Sequence, residues 1–564
     1  MRGVAARLLG VLPVLLLGMA GGAAHGMDDG ALMAAHRGGT LRLTAASSGG
    51  SVDPQIAYEQ QNLQIGAPVY DGLMAFPKSG RGDAVRPVPD LADGMPEIRD
   101  GGRTYVFRLR QGIRFSDGHV LGVEDVVATM RRIFRVNSPA AGPYFSNLVG
   151  AAPCLAGQGR CDLSNGVVTD AAAGTVTFHL ARPDTDFLYK LAFPQAAIVP
   201  AGTPDHDTGN VAPPGTGPYR ITFYDPDRVM RLERNPYFRV WDGLAQPDGF
   251  PDRIVYSFGL DEEAEVTAVE NGQYDWMLDM PPRDRLGELG DRYVPRVHLS
   301  DMLVVWYMEM NVRLAPFDVP EVRRALNDAV DRHAMVLHEG GPALAYPACD
   351  MIPRGIPSHD PECAYGRGAS VAHPAPSWQG VDMARARALV AASGTAGQDV
   401  TIVTMNTSMG RVLGQAVRET LAELGYHAIV RPITPVVEFS YLQNTSNAVQ
   451  IGFTGWQADY PAPGAFLHTL FACDSFHPSS DNSLNMSGFC DPAIDRLMDD
   501  AAAAQQGDPV RADAMWQQAD AAIMAQAPVV PLVQTRRLDL VSARVGHVLS
   551  SAYYMVLLAQ LWVH

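Results

Sequence analysis

A short segment in the last quarter of the chain combines aromatic rings with a single carboxylate. Residues 455–461 read GWQADYP, and the apolar run 449–454 before them predicts a buried strand. Trp456, Asp459 and Tyr460 are therefore expected at a strand end, beside a proline-rich turn. Aromatic side chains around one carboxylate suit a ligand with an apolar body and a cationic end. The alternative is that Trp456 belongs to the core and Asp459 caps the turn before Pro461.

The sequence contains none of the spacings that mark common catalytic, phosphate or zinc sites. GxSxG, HExxH and P-loop patterns do not occur. Gly215 and Gly217 lie in a glycine-rich turn, but Pro218 removes a backbone N–H that a phosphate cradle would use. An acidic group at 261–265 falls where a helix is predicted to begin, and the helix dipole favours negative charge there. These patterns disfavour an enzyme and point to no cofactor and no metal.

Length and charge narrow the class of protein. A chain of 564 residues with 47% apolar and 19% charged residues has more than one domain and can bury a large core. The net charge of −17 disfavours nucleic acid and anionic membrane surfaces as partners. Most of this acidity is expected to be solvated surface.

The N-terminus has the pattern of an export signal. Arg2 and Arg7 precede an apolar stretch at 8–19, and small residues follow at 21–26. We expect a signal peptide at 1–26 and a periplasmic or extracellular protein. No cysteine lies near this segment, so it is not expected to be a lipoprotein. The C-terminal apolar run at 552–563 is too short for a membrane span and is expected to be buried core.

The six cysteines fit an exported protein with disulfides. An even count is typical of a disulfide framework, although six cysteines formally allow fifteen connectivities. Neighbour pairing is preferred because each pair would enclose a loop rich in Gly, Pro or Ser. The expected bonds are Cys154–Cys161, Cys349–Cys363 and Cys473–Cys490.

Periodicity predicts a mixed α/β protein. Strands are expected at 103–115, 175–180, 400–404 and 428–430, and helices at 124–134, 261–270, 382–394, 412–424, 491–504 and 510–526. Asp318 and Glu321 are expected to form a capping box for a further helix that has Pro320 in its first turn. The order strand, helix, strand at 400–430 indicates a parallel sheet covered by helices.

An ordered set of short motifs resembles one protein family. The motifs are GGTLRL (38–43), DP (53–54), VYDGL (69–73), TYVFRLRQG (104–112), FSDG (115–118), GTGPYR (215–220), ERNPYF (233–238), Asn311, FDVPEVRRAL (317–326) and the Trp456/Asp459 segment. In this order they resemble the extracytoplasmic solute-binding proteins of ABC importers, family 5, which bind oligopeptides, dipeptides or nickel. The resemblance runs from about residue 38 to the C-terminus.

The resemblance implies a two-lobed periplasmic-binding-protein fold of type II, cluster C. Two α/β lobes would enclose a ligand cleft, with an inserted α+β subdomain. The first lobe would comprise 38–75, 185–295 and 530–564, the insert 76–184, and the second lobe 296–529. The chain would cross between the lobes near residues 296 and 529, which would form a hinge.

The resemblance also implies a function and site residues. The protein would capture short peptides and deliver them, as a monomer, to the permease and ATPase of an ABC importer. Asp459 would pair with the α-ammonium of the ligand, and Trp456 and Tyr460 would pack on the ligand or the cleft wall. The polar residues Tyr58, Gln60 and Asn62 would line the first-lobe side of the cleft.

Two other functions stay open. The same fold could bind a nickel chelate, a haem-like ring, an opine or a sugar. A secreted peptidase is the third class, and the absence of nucleophile and zinc motifs argues against it.

Overall fold

The structure is a computed structural model that describes residues 29–80, 85–156, 161–481, 483–505 and 507–564. The expected signal peptide, 1–26, lies outside the described residues. The strands are β1 Thr40–Ala45, β2 Met74–Ala75, β3 Val88–Pro89, β4 Glu97–Arg99, β5 Thr104–Arg108, β6 Val167–Asp170, β7 Thr175–His179, β8 Tyr219–Asp225, β9 Val229–Arg234, β10 Arg253–Phe258, β11 Trp276–Met277, β12 Val297–Met310, β13 Ala345–Pro347, β14 Asp399–Met405, β15 His427–Ile433, β16 Ile451–Gln457, β17 Val529–Leu540, β18 Val545–Gly546, β19 Ser550–Ser551, β20 Met555–Val556 and β21 Trp562–Val563.

The helices are α1 Asp29–His36, α2 Gln60–Gly66, α3 Val123–Arg135, α4 Ala141–Phe145, α5 Ala151–Leu155, α6 Phe187–Leu191, α7 Glu262–Glu270, α8 Leu286–Arg292, α9 Pro320–Ala329, α10 Arg332–His338, α11 Met383–Ser393, α12 Ser408–Glu423, α13 Pro435–Gln443, α14 Leu467–Phe471, α15 Pro492–Ala504 and α16 Pro509–Gln526. Single turns of 3-10 helix lie at Pro194–Ala196, Arg283–Arg285, Val294–Arg296, Thr445–Asn447, Pro463–Ala465, Cys473–Ser475 and Leu558–Gln560.

The first large sheet has five strands in the order β11-β1-β10-β9-β8. β1 runs parallel to both β10 and β11, while β9 pairs antiparallel with both β8 and β10. Leu41 and Leu43 on β1 are fully buried, together with Tyr256 on β10 and Trp276 on β11. The loops after β1 and β11 leave the same edge of this sheet, because parallel strands end on the same side.

The second large sheet has six strands in the order β13-β17-β12-β16-β14-β15. β14 is parallel to β15 and to β16, as the strand, helix, strand order at 400–430 predicted, and α12 connects β14 to β15. The sheet is mixed, because β12 pairs antiparallel with both β16 and β17. Apolar side chains of α9, α11 and α12 cover one face, where Leu326, Val390 and Leu421 are buried.

A four-stranded antiparallel sheet, β4-β5-β7-β6, forms a separate layer in the expected insert. Helix α3 packs against it through Val126, Met130 and Ile133, all buried. Tyr105 and Phe178, cross-strand partners on β5 and β7, supply the other half of this core.

The long strands β12 and β17 join the two large sheets. They pair along most of their length, from Val297 opposite Leu540 to Glu309 opposite Val529. Val541 then bridges to Trp276 of the first sheet. Residues 530–540 thus hydrogen-bond within the second sheet, whereas the sequence assigned all of 530–564 to the first lobe.

Several local predictions can be compared with the structure. The side chain of Asp382 caps α11, and Gly394 ends that helix in the left-handed region at φ 70°, both as predicted. The capping box for α9 is wrong: Val319 occupies the cap position, and no side chain caps that helix. The Asp318 N–H instead bonds to the Leu314 carbonyl in the preceding turn. The strand expected at 103–115 ends at Arg108.

Cysteine pairing and the C-terminal segment follow the expectations. The structure contains the disulfides Cys154–Cys161, Cys349–Cys363 and Cys473–Cys490. Val556, Leu557 and Leu561 are buried, so the apolar C-terminal run is core. Within the described ranges, no helix has the length and apolar content that a membrane crossing requires.

Candidate functional site

Trp456 and Asp459 lie where β16 ends and the chain turns. The strand is buried from Ile451 to Thr454 and becomes accessible toward Gln457. Trp456 is half-buried, and its Nε1 donates to the carbonyl of Ala465 at 2.7 Å, in the 3-10 turn that follows. Its indole N–H is therefore satisfied by backbone, and the ring holds the turn that presents Asp459.

Asp459 faces two tyrosines contributed by distant segments. The hydroxyl of Tyr58 donates to Oδ1 of Asp459 at 2.6 Å. The hydroxyl of Tyr144 lies 3.1 Å from that of Tyr58. Burial and the charge of Asp459 raise the pKa of both Tyr58 and Tyr144, so both phenols stay protonated at neutral pH. The arrangement places one carboxylate opposite a pair of hydroxyl groups.

Tyr460 turns away from Asp459 and packs against the first half of the chain. Its hydroxyl donates to Oδ2 of Asp186 at 2.9 Å. Its ring lies 6.2 Å from that of Tyr144 and 5.9 Å from that of Tyr189. Burial raises the pKa of Tyr460 and that of Asp186, and both residues are partly buried. Tyr460 forms part of a wall of aromatic rings.

The polar residues expected on the first-lobe side lie on or beside a helix, α2, that the sequence did not predict. Tyr58 precedes this helix and is 42% exposed, which leaves its ring accessible beside Asp459. Asn62 donates to the carbonyl of Gly49 at 2.5 Å and holds the loop after β1. Gln60 lines a cavity of about 580 Å³ between that loop and the loop after β11. Asn62 therefore supports the site, and Gln60 faces open space.

The edge of β16 that faces β14 is largely unpaired. β14 pairs with β16 only through Ile451 and Gly452. From Phe453 to Gln457, the strand has β12 as its one strand partner among the described residues. Such an edge leaves N–H and C=O groups that an extended ligand chain can pair with.

The residue opposite position 455 on the neighbouring strand leaves no room for a side chain there, so this position requires glycine. Gly455 lies opposite Trp306 on β12, and a Cβ at position 455 would lie 2.8 Å from the indole ring. The glycine thus allows the half-exposed indole, 41% accessible, to lie flat over the strand. A second pocket of about 230 Å³ opens beside it, lined mainly by apolar side chains that include Met405 and Phe453.

The structure brings together residues that the sequence did not single out. Tyr144, Asp186 and Tyr189 belong to the segment expected to be an insert or to its border, and all three contact Tyr460. No local signal identifies them, because each acts through a contact with a distant segment. Within the described ranges, no group of three or more His, Cys, Asp or Glu residues is arranged to hold a metal ion.

Sequence comparisons find relatives along nearly the whole chain. The probable ABC transporter periplasmic-binding protein SapA of Escherichia coli is 25% identical over 526 residues, which cover 89% of this chain and 86% of that protein. A dipeptide-binding protein of Pseudomonas aeruginosa is 25% identical over 500 residues, covering 83% and 84% of the two chains.

Solved structures show the same two-lobed architecture. The clavulanic acid biosynthesis oligopeptide binding protein 2 superposes with a TM-score of 0.81 at 27% identity, covering 94% of this chain and 96% of that one. The binding protein DppA from Helicobacter pylori, in complex with the peptide STSA, superposes with a TM-score of 0.67 at 19% identity, covering 95% and 100%.

Residues 86–477 match the family described as bacterial extracellular solute-binding proteins, family 5. Members of this family are the binding components of transporters rather than enzymes, and they act outside the cytoplasm. The chain belongs to this family of extracytoplasmic solute-binding proteins.

Proposed function

We propose that this protein captures short peptides in the cleft between its lobes and delivers them to the permease of an ABC importer. One observation carries the proposal: Asp459 lies at the end of an open strand edge and meets Tyr58 from the opposite lobe. A carboxylate beside unpaired backbone groups matches the two invariant features of a peptide, a cationic amino terminus and a repeating amide chain.

Asp459 provides the charge that binds the amino terminus. An ammonium group donates hydrogen bonds to the carboxylate, and such charge-assisted bonds are about twice as strong as neutral ones. Tyr58 already donates to Oδ1 of Asp459, and a carboxylate can accept further hydrogen bonds from a ligand. Trp456 and Tyr460 form aromatic walls beside this carboxylate. Gln60 and Asn62 lie on the first-lobe side of the cleft.

The ligand backbone then continues along β16. Its amides pair with the free edge between Phe453 and Gln457, as an added strand. Backbone pairing is independent of side-chain identity, so peptides of different sequence share this mode. The pocket beside Trp306 and Met405 offers apolar space next to the same edge.

Closure of the lobes converts binding into a signal for transport. The paired strands β12 and β17 connect both lobes and form the hinge. In this proposal the lobes keep the ranges expected from the sequence, except that the return to the first lobe is placed after Leu540. A ligand that contacts both lobes favours the closed form, which the permease and its ATPase recognise. The protein acts as a monomer in the periplasm.

The test is native mass spectrometry of the protein isolated from its own periplasmic extract, followed by denaturation and identification of the released ligand. A set of short peptides with free amino termini is the expected result. A single non-peptide mass, such as an opine, a sugar or a metal chelate, would contradict peptide capture. Incubation with a defined peptide pool serves as the control for catalysis, because a binding protein returns every peptide intact.

A further inference from the structure

An apolar pocket lies beside the free edge of β16, with walls from the second sheet and from helices α10 and α12. Its volume is about 230 Å³. Its lining is mainly hydrophobic and includes Trp306, Met335, Met405, Met409, Leu413 and Phe453. An engineered apolar cavity of about 150 Å³ is large enough to hold a benzene ring. The pocket therefore has room for one large side chain.

Trp306 forms an exposed aromatic wall of this pocket. Its side chain is 41% accessible, and among the described residues it is the only exposed tryptophan, since the other six are buried or half-buried. Gly455 directly opposite leaves room for the ring to lie over the strand. A large aromatic surface left in contact with water inside a pocket is typical of a ligand-binding site.

The pocket is continuous with the strand edge that is proposed to pair with the peptide. Phe453 and Thr454 line the pocket, and they begin the part of β16 that β14 no longer pairs with. Side chains of a strand alternate between the two faces of a sheet, and residues directly opposite each other share a face. Every second side chain of a peptide added at this edge therefore points to the face of Trp306.

The polar rim of the pocket carries no uncompensated charge. Arg283 and Glu339 both line it, and Nη2 of Arg283 lies 3.2 Å from Oε2 of Glu339. Arg283 also donates to the carbonyl of His338. A charged side chain of the ligand would lose its hydration here and meet no free charge of opposite sign. The rim thus favours an uncharged occupant. With the lobe ranges proposed above, Arg283 belongs to the first lobe, so both lobes contribute to the pocket.

We propose that this pocket binds one large apolar side chain of the bound peptide, an aromatic ring or a long aliphatic chain. The inference rests on the proposed peptide function and adds a side-chain preference to it. The ligand side chain packs against the indole of Trp306. Methionine side chains adapt to the shape of what they contact, so Met405 and Met409 allow phenylalanine, leucine and methionine to bind. Charged side chains are disfavoured at this position.

The experiment measures the affinity of penta-alanine peptides that carry phenylalanine at each position in turn, relative to penta-alanine itself. Phenylalanine is expected to tighten binding about tenfold or more at one position. It is expected to have little effect at the two neighbouring positions, because their side chains point to the other face of the sheet. Glutamate at the preferred position is expected to weaken binding.

Two variants change the lining of the pocket. Trp306→Ala removes the aromatic wall, and Met409→Gln introduces a polar side chain of similar length. Each is expected to reduce the phenylalanine preference about fivefold or more. The preference is a ratio of two affinities of one protein, so a variant that binds every peptide more weakly does not change it. The control is Met95→Gln, the same substitution at a residue that is 58% exposed, which is expected to keep the full preference.

Tryptophan emission provides a second measurement. A phenyl ring in the pocket covers the indole of Trp306, so the preferred phenylalanine peptide is expected to shift the emission to shorter wavelength than penta-alanine does. This difference is expected to disappear in Trp306→Phe.

Three results would contradict the account. No gain from phenylalanine at any position, or an equal gain at every position, would overturn this inference and leave peptide capture intact. A preference that survives both Trp306→Ala and Met409→Gln would also overturn it. Failure of every peptide to bind would overturn the proposed function and this inference together.

Discussion

The hydroxyl of Tyr58 donates to Oδ1 of Asp459 at 2.6 Å, although the two residues are 401 positions apart in the chain. With the lobe ranges proposed above, the bond joins the first lobe to the second across the cleft. A charge-assisted bond of this kind typically contributes about 1.5–3 kcal/mol. It therefore favours the closed arrangement even without a ligand.

Replacement of Tyr58 by phenylalanine should weaken this closed state. The ring remains, and the hydroxyl that bonds to Asp459 is lost. We expect the ligand-free variant to have a larger radius of gyration in small-angle X-ray scattering than the ligand-free parent, and saturating peptide to restore the compact form. Tyr237→Phe removes a hydroxyl at an exposed site, 47% accessible, and should leave the scattering unchanged. Identical curves for Tyr58→Phe and the parent would show that the bond does not hold the lobes together.

The indole of Trp306 should be displaced by a methyl group at position 455. Gly455→Ala brings Cβ to 2.8 Å from that ring, so either the indole or the strand must move. Overpacking of this kind costs about 1–3 kcal/mol of unfolding free energy. Denaturant unfolding and the tryptophan emission spectrum measure both effects. Gly243→Ala is the matched control, because a Cβ there meets nothing within 4 Å; equal stability of the two variants would contradict the packing described here.

Stability should fall as the pH rises through neutrality. Burial raises the pKa of Glu438 from its ordinary value of 4.5 to about 7. Burial and the nearby Glu438 also raise the pKa of Glu309. The unfolded chain releases these protons at lower pH than the folded protein does, so their contribution is complete below about pH 4.5 and is lost as the pH rises toward 7 and above.

Glu438→Gln should flatten this pH dependence, because glutamine keeps the shape without titrating. The difference between the two curves should be on the order of 3 kcal/mol at most, from the shift of Glu438 alone. Unfolding free energies measured between about pH 5 and 8 provide the test. Glu419→Gln, on the exposed side of α12, should retain the slope of the parent. A parent protein whose stability rises over this range would refute the assignment.

Features that depend on residues close together in the chain, such as helix ends and disulfides, were mostly predicted from the sequence. Asp382 and Gly394 bound α11 because an oxygen cap and a left-handed glycine act within one turn. The parallel pair β14 and β15 followed from the alternation of strand and helix. The three disulfides followed from cysteines that neighbour one another in the chain.

Contacts between distant segments could not be predicted in the same way. The segment 58–64 reads as polar, yet Gln60–Gly66 is helical because Gln61, Gln64 and Ile65 are buried against the rest of the lobe. The sequence singled out Asp459 as a candidate, but not Tyr144 or Asp186, which contact Tyr58 and Tyr460. The motif alone did not reveal what the indole N–H of Trp456 binds. In the structure it donates to the carbonyl of Ala465, in the turn that follows the strand.

The most direct test of the account is a cycle of affinities that compares Asp459→Asn with the parent, and a free peptide with its N-acetyl form. Acetylation removes the ammonium charge that Asp459 is proposed to bind. In the parent, acetylation should weaken binding by about tenfold or more, and in Asp459→Asn it should have little effect. An acetylation penalty of the same size in both proteins would show that Asp459 does not bind the amino terminus.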